Sequence, residues 1–375
     1  MKNSQQKVII VGGGLAGLIA AITLARNGVE ATLIEKKHYP FHRVCGEYIS
    51  NEVVPFLQRM DIFPEEFPLP QLKRFLLSDI EGKTAEIKLP LGGFGISRYE
   101  MDHFLYQKAK LLGVEVLCGT EVTDVLFHGE GFQVDLKKGE SLQAEFVINA
   151  YGKRSKLDKT FNRNFIEKKS PFLGVKYHAF LDYPEHLIGL YNFPGGYCGV
   201  SQVEKGMLNI CYLSRRENLK NHSSIPEMEK AVLYKNPHLK DILGNADFVR
   251  EKPEVINEIS FEKKKTVENH MLMAGDTAGL ITPLCGNGMA MAIHSGFIAA
   301  NTVSEYYQGN IRTREEVEGT YLKTWQRHFS QRLWYGRKTQ NLFGHSFRSR
   351  LAVNFVGKFP KLASGIIRQT HGEVF

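Results

Sequence analysis

Three glycines that follow an apolar run, Gly12, Gly14 and Gly17, and an acid that ends the next apolar run, Glu35, have the spacing of a phosphate cradle. Gly12 permits a tight exit from a strand, Gly14 lets the backbone approach a pyrophosphate, and Gly17 lets a helix sit close on a sheet. The free N–H groups at Leu15 and Ala16 then face phosphates. Glu35, followed by Lys36, can accept a hydrogen bond from a ribose hydroxyl, and an acid there favours a plain ribose over a 2′-phosphorylated one. A second set lies far along the chain: Gly275-Asp276 ends an apolar stretch, Pro283 stiffens the next turn, and Gly286-Asn287-Gly288-Met289 opens a small-residue helix toward Tyr306. One carboxylate beside a helix start suits an electron-poor ring that carries negative charge. Between the two sets, Tyr39 to Glu47 gathers proline, glycine and the thiol of Cys45 in one unpatterned segment, the mark of a functional loop.

The elements that must place these groups are predicted as follows. Val8 to Ala25 contains no charged residue. It is marginal for a membrane span, which needs about 20 apolar residues, and Asn27-Gly28 supplies a helix stop, so it reads as a buried βα unit. The mature protein is expected to begin here, untargeted and cytoplasmic. Ser97-Arg98-Tyr99-Glu100 reads as a capping box, with Met101, Phe104, Leu105, Ala109 and Leu112 on one helix face and a stop at Gly113. Strands are predicted over 114–118, 120–127, 132–136 and 144–150, the last in the middle of a parallel sheet. From Pro171 to Leu213, aromatics and glycines suggest an antiparallel sheet walling a cavity. A helix starts near Ser224, with Pro226 in its first turn and Glu227 as box partner. His270 to Asp276 returns to the first strand type.

Composition narrows the partners. The 375 residues include five cysteines, Cys45, Cys118, Cys198, Cys211 and Cys285, with no C-x-x-C spacing, so neither a disulfide frame nor a zinc site is implied. His38 and His42 have helical metal-ligand spacing, but Pro40 stands between them. Gly82-Lys83-Thr84 resembles the end of a phosphate loop, yet Leu77 holds the position of its first glycine. The net charge is +8, and from Thr320 to Phe375 ten Lys or Arg face one acid, Glu373, a local excess of +9. Phe329, Trp334, Phe343, Phe347, Phe355 and Phe359 are interleaved with those charges. Such a tail either docks on an anionic membrane or an acidic carrier protein, or packs as a helical layer with a solvated basic face. No nucleic-acid recognition module accompanies the charge, and no nucleic-acid partner is expected.

From Lys7 to about Tyr307 the chain resembles the class A flavoprotein monooxygenase and geranylgeranyl reductase superfamily, the fold of p-hydroxybenzoate hydroxylase. The resemblance implies an α/β fold: a Rossmann-like FAD-binding domain of the GR2 type, an inserted antiparallel β-sheet substrate domain, and C-terminal helices. It places the FAD domain at 1–80, 97–170 and 262–310, the substrate domain at 81–96 and 171–261, and a basic helical segment at 311–375. Gly12, Gly14, Leu15, Ala16, Gly17, Glu35 and Lys36 would hold the ADP half of FAD, and the backbone at Val122 would meet adenine. Asp276 would lie on the ribityl and pyrophosphate region, with Gly286, Asn287, Gly288 and Met289 beside the pyrimidine edge of the isoalloxazine. Arg98, in an R-x-x-x-D pattern with Asp102, would reach the cofactor's polar chain. Arg43-Val44-Cys45-Gly46-Glu47 looks like the R-x-C-G-E loop of the reductase-like branch, with Arg43 at the cofactor, and Gly279 and Ser295-Gly296 are also closer to that branch. Hydroxylases of the family carry Asp-Gly after the central strand, tied to nicotinamide binding, where this chain has Tyr151-Gly152. NAD(P)H and a separate electron donor are therefore alternatives. The W-x-W-x-I element of tryptophan-dependent halogenases contains neither Trp325 nor Trp334, so halogenation is not expected.

Two reactions on a small apolar substrate fit. In one, a flavin C4a-hydroperoxide hydroxylates or epoxidises an aromatic or polyketide-like molecule. In the other, hydride goes to an isoprenoid alkene and a nearby acid protonates the neighbouring carbon, with Cys45 and Glu47 as the donor candidates. The first is favoured because it is common on the fold, and a flavin-binding or carrier-docking protein without turnover is the third alternative. For Cys45 the competing role is packing a turn, and for Glu47 a solvated role or an ion pair with Arg43.

Overall fold

The computed structural model describes residues 6–167, 170–257, 259–282, 286–340 and 343–375. Gln6–Val11 runs parallel between Ala31–Glu35 and Ser141–Asn149, and the sheet continues to Glu115–Cys118 on one side and Met271–Met273 on the other. Val122–His128 and Gly131–Leu136 add an antiparallel extension to the first half of Ser141–Asn149. Strands buried on both faces read as apolar runs, and Val8, Ile9 and Ile10 have no exposed surface.

The uncharged stretch resolves into Gln6–Val11 and the helix Leu15–Arg26, every residue of which from Leu15 to Leu24 is buried. The helix is apolar all round because it packs between the sheet and two further helices, Arg98–Leu111 and Gly288–Tyr307. Gly28 follows it in the left-handed region, at φ 72°. No helix among the described residues is long and apolar enough to cross a membrane. The Arg98 helix starts as expected, with the Ser97 hydroxyl accepting the Glu100 N–H at 3.2 Å. The Glu100 carboxylate pairs with Lys205 instead of closing a box.

The second sheet runs Asp247–Phe248, Phe172–Phe180, Leu208–Arg215, Gly196–Gln202, Leu187–Phe193, Gln71–Ser78, Thr84–Gly95, Tyr48–Ser50. Its pairings are antiparallel except between Leu187–Phe193 and Gln71–Ser78. The sheet therefore reaches further back along the chain than the expected 81–96. Gln71–Ser78 and Thr84–Gly95 are arms of one hairpin, and hydrogen bonding between them holds both in one sheet. The Gly82-Lys83 segment is the tip of that hairpin: Gly82 has φ 91°, and the Asp79 carboxylate accepts the N–H groups of Glu81 and Lys83.

Arg314–Gln340 lies along the Gly288 helix and buries Tyr321, Trp325 and Phe329. Ser346–Lys358 and Pro360–Thr370 lie across the strand Thr84–Gly95, with Val353, Val356 and Ala363 turned into the core.

Candidate cofactor and active site

The three glycines of the first turn do different work. Gly12 has φ 106°, and a Cβ there would stand 2.6 Å from the Ala150 carbonyl oxygen. At Gly17 a Cβ would stand 1.9 Å from the Gly12 oxygen. Both positions are closed by the chain itself. At Gly14 the nearest atom to a Cβ is Arg98 Nη2 at 3.5 Å, so this glycine opens outward. It is also the cap of Leu15–Arg26 and brings no side-chain acceptor to the first N–H groups of that helix. A turn with open space over unpaired N–H groups fits a pyrophosphate.

Glu35 is 4% exposed and grips the turn directly: it accepts the Gly13 N–H at 2.9 Å and the Lys37 N–H at 3.0 Å, and pairs with Arg43 at 3.2 Å. Oε1, which among the described residues takes only the Lys37 N–H, keeps a lone pair for a ribose hydroxyl. Lys36 points into solvent. Arg43 also reaches Asp102 at 3.2 Å, and Asp102 in turn takes both nitrogens of the Arg98 fork at 2.7 Å. Arg98 is thus a fixed cation beside Gly14. Val122 is buried at the start of its strand.

Asp276 stands in a single turn, Gly275–Thr277, beyond the carboxyl end of Met271–Met273. Ligands of open parallel sheets bind at this end. The turn is pinned by Gly275 N–H donating to Ser295 Oγ at 2.7 Å and Gly152 N–H donating to Thr277 Oγ1 at 2.9 Å. Lys264 donates to the Asp276 carbonyl, and burial lowers its pKa to about 8 against the pull of Asp158 and Asp276. Asn287 caps Gly288–Tyr307 and is fully buried. Its amide N–H₂ donates to Glu52 and to the Thr370 carbonyl, and its Oδ1 is buried without a partner among the described residues. An orphaned buried acceptor at a helix start suits the N–H edge of a flavin pyrimidine ring. Gly286 stands in the left-handed region, Met289 is 4% exposed, and Pro283 to Cys285 lie outside the described residues.

The residues present therefore fit FAD at both ends. Replacing Asp276 with Ala removes a carboxylate that takes no hydrogen bond from the described residues. The variant is expected to keep its melting temperature without cofactor and to retain less FAD through gel filtration. Unchanged flavin content would remove the assignment.

The Cys45 loop lies over one face of the second sheet. Side chains alternate along Phe172–Phe180, so Val175, Tyr177 and Ala179 enter one core while Lys176 and His178 face the loop. Asn209, paired with His178 on the next strand, donates to the Cys45 carbonyl at 3.2 Å. Glu47 is fully buried and takes Lys176, His178 at 2.6 Å and the Arg98 N–H at 2.8 Å. This corrects two expectations. Arg43 is not its partner, because Glu35 and Asp102 hold that guanidinium. Nor does Glu47 stand as a free carboxyl: burial pushes its pKa up, but Lys176 and His178 overcome this and bring it down to about 2. Cys45 keeps a half-buried thiol.

Tyr151 does not leave a free group where the family has an acid. Its hydroxyl donates to Asp158 at 2.9 Å within the buried Arg163–Asp158 ion pair. His42 stacks on Tyr99 at 4.6 Å, and no metal-binding cluster occurs among the described residues. Lys176 and His178 escaped the sequence reading. The available signal was two cationic residue types at alternate positions of an otherwise apolar strand.

The tryptophan 2-halogenase of Chondromyces crocatus is 25% identical over 352 residues, covering 87% of this chain and 66% of that protein. The digeranylgeranylglycerophospholipid reductase of Methanosarcina acetivorans is 25% identical over 338 residues, covering 85% and 80%. The structure of the flavin-dependent brominase Bmp2 superposes with a TM-score of 0.79 at 16% identity, covering 98% of this chain and 93% of that one. The FAD binding domain family matches residues 5–321. The chain belongs to that family and is an FAD-dependent oxidoreductase of the class A flavoprotein monooxygenase and geranylgeranyl reductase superfamily.

Proposed function

We propose that this protein is a monooxygenase that hydroxylates or epoxidises an apolar, electron-rich substrate. The observation that carries the reading is the placement of Glu47 between Lys176 and His178. Saturating an alkene calls for a side chain that gives up a proton beside the flavin, and the one carboxyl of the Cys45 loop is held as an anion by Lys176 and His178. Bound FAD supplies the redox chemistry with oxygen, which asks of the protein positioning and exclusion of water more than acid catalysis. Gly14, Arg98, Asp276 and Asn287 would fix the cofactor, and the sheet face bearing Lys176, His178, Asn209 and Cys211 would carry the loop that closes on substrate.

The test supplies the protein with NADH, NADPH or dithionite and a panel of alkylphenols. Product carrying an oxygen atom from labelled dioxygen is expected, with no product in its absence. Anaerobic turnover would overturn the reading.

A second reading, reduction of isoprenoid double bonds, is favoured by the Cys45 thiol, which is half-buried and outside any disulfide. On that reading Cys45→Ser slows alkene reduction by about 100-fold while flavin reduction proceeds at its normal rate. Equal rates for both steps would return Cys45 to packing.

A further inference from the structure

We propose that the two C-terminal helices form a docking face for an anionic lipid surface. Ser346–Lys358 is apolar on two opposite sides. Val353 and Val356 face the strand Thr84–Gly95, whereas Phe347, Leu351 and Phe355, spaced four apart on the far side, are 73%, 52% and 36% exposed. A helix on the surface of a soluble protein ordinarily turns polar residues outward. The second helix repeats the pattern: Ala363 is buried, while Phe359, Leu362 and Ile366 are 51%, 61% and 43% exposed. The rings of Phe355 and Phe359 lie 5.7 Å apart, which makes one continuous apolar stripe across both helices.

On the two helices themselves the charge is of one sign. Lys358, Lys361 and Arg368 are exposed beside the stripe, and no acid occurs between Glu318 and Glu373. Arg350 is paired with Glu81 of the neighbouring hairpin. Aromatic and aliphatic side chains flanked by lysine and arginine are the composition of helices that lie in a membrane interface, where the apolar residues enter the acyl boundary and the cations meet phosphate. A second copy of this chain suits the face poorly, because two-fold pairing would bring like charges together. The face adjoins the substrate sheet: Arg368 shares a crevice with Leu89 and Leu91 of Thr84–Gly95. An apolar substrate held in lipid would meet the protein beside that sheet.

The experiment sediments the full-length FAD-loaded protein with vesicles of phosphatidylcholine alone and of equal parts phosphatidylcholine and phosphatidylglycerol. Binding to the anionic vesicles only, weakened by salt, is expected. Phe347→Ser combined with Leu351→Ser and Leu362→Ser, and separately Lys358→Glu with Lys361→Glu, should each weaken it by about 10-fold or more. All five side chains are exposed, and the flavin spectrum of each variant reports that its fold is intact. Wild-type protein that stays in the supernatant with anionic vesicles at low salt overturns the proposal, as does an apolar variant that binds like wild type. If the protein ignores vesicles but binds an acidic acyl carrier protein, or self-associates through these residues, the face belongs to a protein partner and the lipid assignment fails. Neither outcome bears on the oxygen chemistry, which is read by product.

Discussion

Gly14→Val should yield a folded, colourless protein. The Gly14 backbone has φ −86° and ψ −174°, ordinary values for any residue, and the nearest atom to a new Cβ is 3.5 Å away. A valine there costs the fold little and fills the space through which a pyrophosphate would reach the helix N–H groups. FAD affinity should fall by about 1,000-fold or more, equivalent to about 4 kcal/mol, while circular dichroism and melting match cofactor-free wild type. Gly12→Val and Gly17→Val should behave differently, because their Cβ atoms would stand 2.6 Å and 1.9 Å from backbone oxygens. Backbone cannot step aside as a flexible side chain can, and Gly12 also needs its φ of 106°. Those variants are expected to be insoluble. A Gly14→Val protein with normal flavin absorbance would show that the cofactor does not run over this turn, whatever the other two glycines do.

The contrast among the three glycines shows where the sequence was a sufficient guide. The turn, the helix after it and Glu35 fall within 30 residues, and local spacing carries their geometry. The sequence does not show that Glu35 also holds the turn closed through the Gly13 N–H. Contacts across the chain were less legible. Glu47 lies 129 and 131 residues from Lys176 and His178, and nothing near it in sequence announces a buried cation. Arg43, four residues away, was the nearby candidate, and the competing carboxylates that claim it come from a strand end and from the Arg98 helix. The hairpin Gln71–Gly95 falls on both sides of the boundary expected at residue 80, and its first arm lacks the clean alternation that marks a strand. In the tail, aromatic and basic residues were visible as a mixture. Which of them face the core depends on how two helices cross one strand, so Val356 is buried while Phe355 beside it is exposed.

Replacing Glu47 by Gln should be the most destabilising polar substitution at the site. Glu47 adopts φ 54°, a left-handed conformation that costs about 1–2 kcal/mol for a side chain bearing a Cβ. It is held there by Lys176, His178 and the Arg98 N–H. The neutral amide keeps the shape and leaves the Lys176 ammonium, 1% exposed, without a counter-charge. Removing one partner of a buried ion pair costs about 3–5 kcal/mol, most of it the stranded charge. A denaturant midpoint for Glu47→Gln within experimental error of wild type would refute this. Adding Lys176→Met should recover much of the loss, since the double variant buries no unpaired ion. The pH dependence has a fixed sign. The folded carboxyl titrates near pH 2, below the ordinary value of 4.5. Its contribution is therefore complete above pH 4.5 and is lost as pH falls toward 2, a change of about 3 kcal/mol. Wild type should lose stability across that window more steeply than the double variant. Parallel curves would mean that Glu47 is protonated in the folded protein, and would restore it as a proton donor beside Cys45.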